Sequence, residues 1–303
     1  MMTAELAIET AWSPAQAPIR FLELELTNRC QLSCTHCYAL SAPTDGHGEM
    51  TLPDWKRLLD DAPAAGVSHV QLIGGEPTLQ PDFALLLTHA LDRGLKVEVF
   101  SNLLHITEPL WDLLTRPGVE LATSYYSDTP IQHDRITGRL GSHRRTRAAI
   151  SEALRRGIPL RAGIIDLGDG QRVEQARTEL ERLGVTRVRV DRMRGVGRAA
   201  EHRAAQPTVR ELCGRCGDGR AAVSCGGDVR LCVLSRFLPS AGNVRTTPLA
   251  DILVGRKWRE LCAKVPRRRT ATACNPDSDG NDCAPAETIY DPDKATGFLR
   301  AGR

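Results

Sequence analysis

Aromatic residues are scarce: four Trp, four Tyr and five Phe make up 4% of the 303 residues. Proteins that hold single-stranded nucleic acid stack bases on aromatic rings, so this scarcity argues against that class. The net charge is only +3 at pH 7, too small to draw in a polyanion without a concentrated patch. No run approaches the length of apolar sequence that a membrane-spanning helix requires. The first twenty residues lack a basic start followed by an apolar core, so no secretory signal is read. These absences predict a cytoplasmic chain with neither a membrane nor a nucleic acid as partner. Thiols stay reduced in that compartment.

What the sequence has instead is cysteine. Cys30, Cys34 and Cys37 lie within eight residues, and seven more follow at Cys213, Cys216, Cys225, Cys232, Cys262, Cys274 and Cys283. Ten cysteines in a reducing compartment argue for metal or catalysis rather than a disulfide framework. With 41% hydrophobic residues, the chain can bury a substantial core. Its length suits one large domain or a large domain with an appendage.

Between about residues 20 and 190 short apolar runs alternate with amphipathic segments. The pattern predicts strands over 21–26, 69–73, 96–100, 120–125, 160–165 and 187–190. Helical spacing is read over 52–65, 83–93, 144–156 and 174–183, each ending at a glycine that permits a left-handed closing residue. Six β–α repeats imply an α/β fold with a parallel sheet, either doubly wound or a partial barrel. After about residue 195 the helical periodicity fades and the cysteines cluster. The last thirty residues are rich in Pro, Asp and Gly and predict an irregular tail.

The spacing Cys30-x3-Cys34-x2-Cys37 falls in the loop after the first predicted strand. Thiolates ligate iron–sulfur clusters, and three of them leave one iron of a 4Fe-4S cubane open to a substrate or cosubstrate. A zinc site would need a fourth ligand, for which His36 is at hand. This loop resembles the signature of the radical S-adenosylmethionine (radical SAM) family, C-x3-C-x-φ-C, with His36 at the φ position. Gly74-Gly75-Glu76-Pro77 resembles the family's GGEP motif. Ser101, Asn102 and Ser124 fall where the family places polar contacts to the cosubstrate. The segment from Asp191 to Ala199, with Arg192, resembles the one that helps hold adenine, and Tyr38 is grouped with these contacts.

The resemblance implies a partial (β/α)6 TIM-like barrel over residues 20–200, after an N-terminal extension of residues 1–19. It implies that S-adenosylmethionine binds a 4Fe-4S cluster on Cys30, Cys34 and Cys37. Reductive cleavage then yields a 5′-deoxyadenosyl radical that takes hydrogen from a substrate carbon, with an electron supplied by a reducing partner such as flavodoxin or ferredoxin.

Residues 201–303 resemble the SPASM and twitch extensions of that family through Cys213-x13-Gly227-x4-Cys232, followed by Gly242-Asn243. A full SPASM domain continues with C-x2-C-x5-C-x3-C, whereas here only Cys262, Cys274 and Cys283 remain. The expectation is one auxiliary 4Fe-4S cluster held by Cys213, Cys216, Cys232 and one of Cys274 or Cys283. If both tail cysteines ligate, a second cluster or a five-cysteine arrangement is the alternative. Cys225 and Cys262 are the spares, and Cys225 is a candidate hydrogen donor of the kind an epimerase uses.

The stretch from Ser124 to His143 is similar to that of ribosomal peptide maturases. It makes oxidative crosslinking or epimerisation of a peptide the first expectation. Tyr125, Tyr126, Asp128 and His133 are the candidate proton acceptors. Only about twenty residues precede the first predicted strand, so a separate leader-recognition protein is expected. The alternative is dehydrogenation or another modification of a small molecule such as an aminoglycoside or sugar precursor. A zinc-bearing nucleic-acid binder built on the arginine clusters is the remote one.

Overall fold

The computed structural model describes residues 18–168 and 170–266. In chain order these form β1 (Phe21–Glu25), α1 (Leu52–Asp61), β2 (His69–Ile73), α2 (Phe83–Asp92), β3 (Lys96–Phe100), α3 (Glu108–Leu114) and β4 (Val119–Ser124). There follow α4 (Pro130–Thr137), α5 (Ser142–Arg155), β5 (Leu160–Asp166), α6 (Val173–Leu183), β6 (Arg187–Arg192) and α7 (Arg198–His202). The cysteine-rich part adds β7 (Arg220–Val223), β8 (Asp228–Arg230), β9 (Gly242–Asn243), α8 (Leu249–Val254) and α9 (Arg256–Lys264).

β1 is buried along its whole length, Glu23 and Glu25 included. Burial on both faces is what a central parallel strand requires. α1 shows how local sequence sets an element. Thr51 and Asp54 cap each other's backbone N–H groups, a proline sits in the first turn, and Trp55, Leu58 and Leu59 form the buried stripe. β1 to β6 lie side by side in sequence order, all parallel, as a partial (β/α) barrel with the helices outside.

The six strands and four helices expected from the pattern are present with shifts of a few residues at their ends. α3 and α4 were not expected. Both are short, at seven and eight residues, and the residues that α4 buries are His133, Asp134, Ile136 and Thr137. A helix that buries mostly polar side chains carries no apolar stripe to read.

The joining of the two parts was also unforeseen. β7 pairs parallel with β1, in the register Phe21↔Arg220 to Leu24↔Val223, and β8 and β9 add antiparallel beyond it. The sheet therefore runs without a break in the order β6-β5-β4-β3-β2-β1-β7-β8-β9. No helix among the described residues is long and apolar enough to cross a membrane.

Candidate cofactor and cluster site

The cysteine loop leaves the C-terminal end of β1, the edge where ligands gather in parallel β/α folds. It is fastened to the next strand's exit by main-chain hydrogen bonds: Gly75 N–H to Thr27 O at 2.7 Å and Glu76 N–H to Arg29 O at 2.9 Å. The fit leaves no space for side chains. A Cβ at Gly75 would lie 2.3 Å from the Arg29 carbonyl oxygen, and one at Gly74 would lie 2.5 Å from that of Thr27. Gly74 also has φ +135, a conformation open to glycine. The glycine pair thus lets the loop carrying Cys30 lie directly against the turn.

Glu76 is buried and turned inward rather than toward ligand. Its carboxylate accepts from Ser101 Oγ at 2.9 Å, Asn102 N–H at 2.9 Å and Thr78 Oγ1 at 2.8 Å. It thereby ties the exit of β2 to that of β3. Burial raises its pKa, and these donors oppose the rise. Asn102 Nδ2 in turn approaches Cys30 Sγ at 3.7 Å, and the Leu32 N–H lies 3.4 Å from the same sulfur. Burial nevertheless pushes the Cys30 thiol up to about 12 and the Cys34 thiol well above its ordinary value. Such thiols ionise when a metal centre takes them as ligands.

The three thiols open on a cavity of about 1070 Å³, its mouth included. Gly74, Gly75, Asn102, Ser124, Tyr38, Tyr126 and Arg192 share its wall, so seven cofactor- or substrate-side residues expected from sequence meet the cysteines there. Ile73, Phe100, Ile165 and Leu234 give the wall its apolar part, with Leu234 coming from the cysteine-rich segment. Asp191 and Arg194 also line it as a buried ion pair at 2.8 Å. Arg192 is braced by Glu211, its Nη1 donating at 3.1 Å, and its Nε is buried without a hydrogen bond. Glu211 lies two residues before Cys213, and no motif in the sequence marks it.

Besides Glu76 and Ser101, which bond each other behind the wall, four expected site residues lie off it. Pro77 starts a single helical turn behind Glu76. Tyr125 is fully buried, donates to Glu179 at 2.7 Å and lies 2.7 Å from His143 Nε2. Asp128 forms a two-bond ion pair with Arg172, at 2.7 and 2.8 Å. Cys225 packs against Gly48, and its carbonyl accepts from Glu49 and Met50. The cavity wall includes none of these four.

His133 does line the cavity. Its Nδ1 lies 3.1 Å from Ser142 Oγ, which donates to Asp134 Oδ1 at 2.9 Å, and its ring centroid is 5.4 Å from that of Tyr126. Burial, helped by His143, pulls its pKa from 6.5 down to about 4. Between those values the unfolded chain binds a proton at this position that the folded chain refuses. The imidazole therefore costs stability as pH falls from 6.5 to 4, on the order of 3 kcal/mol in total. His133→Phe should lose that component, so its stability, followed by urea unfolding of the apo chain, declines less steeply over this window than the parent's. Parallel curves would show that the shift is absent.

A second group of thiols lies beside the extension of the sheet. Cys216 Sγ is 3.6 Å from Cys213 Sγ and 3.8 Å from Cys232 Sγ. A hydrogen bond from Cys216 draws the Cys213 thiol down to about 6, and the same contact raises Cys216. Cys262 is buried in the core that also holds Cys216 and Cys232, with its Sγ against the backbone of Gly217. Cys274 and Cys283 lie outside the described residues.

A parallel barrel edge with one buried and two half-buried thiols, a glycine turn that admits only backbone, and a mixed polar and apolar cavity fits a site for an iron–sulfur cluster and a small organic cosubstrate. The comparisons agree with that class. Residues 24–183 match the family model described as the radical SAM superfamily, and residues 200–283 match SPASM, an iron–sulfur cluster-binding domain. The chain belongs to the radical SAM superfamily, whose cofactors are S-adenosylmethionine and 4Fe-4S clusters.

Among curated proteins it is 34% identical to PqqA peptide cyclase of Ruegeria pomeroyi over 197 residues, 62% of this chain and 51% of that one. It is 33% identical to the AdoMet-dependent heme synthase of Methanosarcina barkeri over 138 residues, 45% of this chain and 39% of that one. The chain thus spans about half the length, or less, of these relatives. Among solved structures it resembles Streptococcus suis SuiB bound to its precursor peptide SuiA, with TM-score 0.67 and 16% identity over 84% of this chain and 68% of that one. That likeness is one of fold.

Proposed function

We propose that this chain is a ribosomal peptide maturase that oxidises an unactivated carbon of its substrate and so forms a crosslink. The observation that carries the substrate class is the 34% identity to a protein named for cyclising a peptide. The resemblance to SuiB with its precursor peptide supports it at the level of fold.

In this reading Cys30, Cys34 and Cys37 hold the cluster that binds S-adenosylmethionine. When bound, the pair supplies one-electron cleavage of the sulfonium and a radical able to take hydrogen from carbon. The chain's own residues position and enclose. The Gly74-Gly75 backbone offers its polar groups at the cavity wall, while Asn102, Ser124 and Arg192 supply side-chain contacts around the cosubstrate. Tyr38, Tyr126, Phe100, Ile165 and Leu234 displace water, which suits a site where a reactive carbon must meet only its substrate. Cys213, Cys216 and Cys232, with one of Cys274 or Cys283, would hold a single auxiliary cluster, which would supply an acceptor for the second electron. A separate leader-recognition protein and a flavodoxin- or ferredoxin-like reductant complete the system.

The test uses the anaerobically reconstituted full chain, S-adenosylmethionine, a reductant and synthetic peptides corresponding to any short open reading frame beside the gene. Mass spectrometry should show the peptide losing two hydrogen atoms, with a new link in its fragments. Cosubstrate cleavage with no change in the peptide, but turnover of a sugar or aminoglycoside precursor, would replace this reading with the small-molecule one.

A further inference from the structure

The segment after β6 folds back beneath the cysteine loop and touches it at backbone distance. Gly197, at φ +59, lies so close that a Cβ there would be 2.3 Å from the Tyr38 carbonyl oxygen and 2.4 Å from that of Cys37. The next residue gathers the loop. The Arg198 amide donates to Cys37 O at 2.9 Å. Its guanidinium donates to Cys34 O, to Leu40 O at 3.0 Å and to Ser41 O at 2.9 Å. One residue thus binds four carbonyls across the stretch that carries two of the three thiols.

That stretch is not one that would keep its shape unaided. Leu40 has φ +61, in the left-handed region that a branched side chain disfavours. The loop's own turn is closed by few bonds, Cys37 N–H to Cys34 O at 3.2 Å and Leu40 N–H to Cys37 O at 3.3 Å among them. Three donors of a planar, permanently charged fork suit such a set of carbonyls better than a lysine would.

The charge has a consequence of its own. The guanidinium that donates to the Cys34 carbonyl brings a full positive charge to the backbone of a thiol-bearing residue. The positive charge therefore lies against the loop that carries the thiols. A cluster becomes more negative when it takes up an electron, and a fixed cation nearby in a poorly solvated site favours that reduced form.

We propose that Arg198 is a positioning residue that holds the cysteine loop in its ligating shape and, through its charge, raises the reduction potential of the cluster held there. The second half rests on the reading that Cys30, Cys34 and Cys37 carry the cluster. The first half does not.

Two variants separate the roles: Arg198→Lys keeps the charge and loses the fork, and Arg198→Gln loses both. Hydrogen exchange on the apo chain reads the loop. Amides from residue 34 to 41 should exchange about tenfold faster in both variants, as expected for the loss of charge-assisted hydrogen bonds. Exchange elsewhere in the barrel should be unchanged. Redox titration of the reconstituted chain reads the charge, following the reduced-cluster signal in electron paramagnetic resonance that S-adenosylmethionine perturbs. The Lys variant should keep the parent's midpoint and the Gln variant should shift to a more negative one. Only loaded molecules contribute to that signal, so partial loading does not obscure the midpoint.

Unchanged exchange in the Gln variant would overturn the positioning role, and equal midpoints in all three proteins would overturn the electrostatic one. If the Gln variant takes up no cluster, a negative shift in the Lys variant likewise overturns the electrostatic role. A parent protein with no S-adenosylmethionine-responsive signal would instead sink the assignment of the three cysteines, leaving the exchange result to stand.

Discussion

Changing Cys30, Cys34 and Cys37 together to Ala should abolish cleavage of S-adenosylmethionine and remove one cluster's iron and sulfide, leaving the auxiliary cluster in place. The two sets of thiols occupy different parts of the sheet. The first lies at the exit of β1, and the second clusters beside β7, with Cys216 Sγ 3.6 Å from that of Cys213 and 3.8 Å from that of Cys232. Loss of one set should therefore not empty the other. Iron and labile sulfide on anaerobically reconstituted parent and variant decide the matter. The variant should retain about one 4Fe-4S cluster, half of the parent's iron. Two retained clusters would mean that Cys274 and Cys283 complete a larger set. No retained iron would remove the auxiliary electron acceptor, and the oxidative reading of the function with it. A variant that still cleaves the cosubstrate would refute the assignment of the three thiols outright.

Gly75→Ala should be nearly as damaging, although it removes no ligand. The new methyl would begin 2.3 Å from the Arg29 carbonyl oxygen, a backbone atom that cannot swing aside as a side chain does. Either Arg29 moves, and Cys30 with it, or Gly75 withdraws from the cavity wall. Overpacking of this kind costs about 1–3 kcal/mol of stability. Misplacing a catalytic group by even an ångström can cost about a hundredfold in rate. Cosubstrate cleavage should fall by about that factor, with a melting temperature lower by several degrees. Gly46→Ala is the control, because nothing lies within 4 Å of its Cβ position and its φ is ordinary. It should match the parent in both measurements. Equal activity in the Gly75 variant would show that the turn yields, and that the glycine is not required for the loop's close approach.

The two predictions draw on different kinds of information. The grouping of Cys30, Cys34 and Cys37 as a candidate chelating loop was legible from spacing alone, because such a loop needs its donors close in sequence. The role of Gly75 was legible only as a motif; the 2.3 Å approach to Arg29 gives it a physical reason. Glu76 was expected among the cofactor contacts, yet its carboxylate is spent on Ser101, Asn102 and Thr78. Tyr125 and Asp128 are likewise committed to Glu179 and Arg172. Which way a polar side chain at a strand exit faces depends on partners dozens of residues away, and spacing carries no record of them. Arg198 was seen only as part of a run, because its meaning lies in carbonyls that every residue possesses.

By itself the sequence determined the six β–α repeats, the thiol loop after the first strand and the glycine turn after the second. Each rests on short-range physics: burial periodicity, capping, and the need for closely spaced donors. Tertiary structure alone decided that β7 pairs with β1, so that the cysteine-rich segment extends the barrel's own sheet and sends Leu234 into the cavity. It also decided that Glu211 and Arg198 bind the exit of β6 to the two groups of thiols. The pairing of β1 with β7 joins residues nearly two hundred positions apart, and the contacts of Arg198 with the loop carbonyls span 157 to 164. Their free energy comes from backbone groups common to all sequences, so only the folded chain reveals which of them meet.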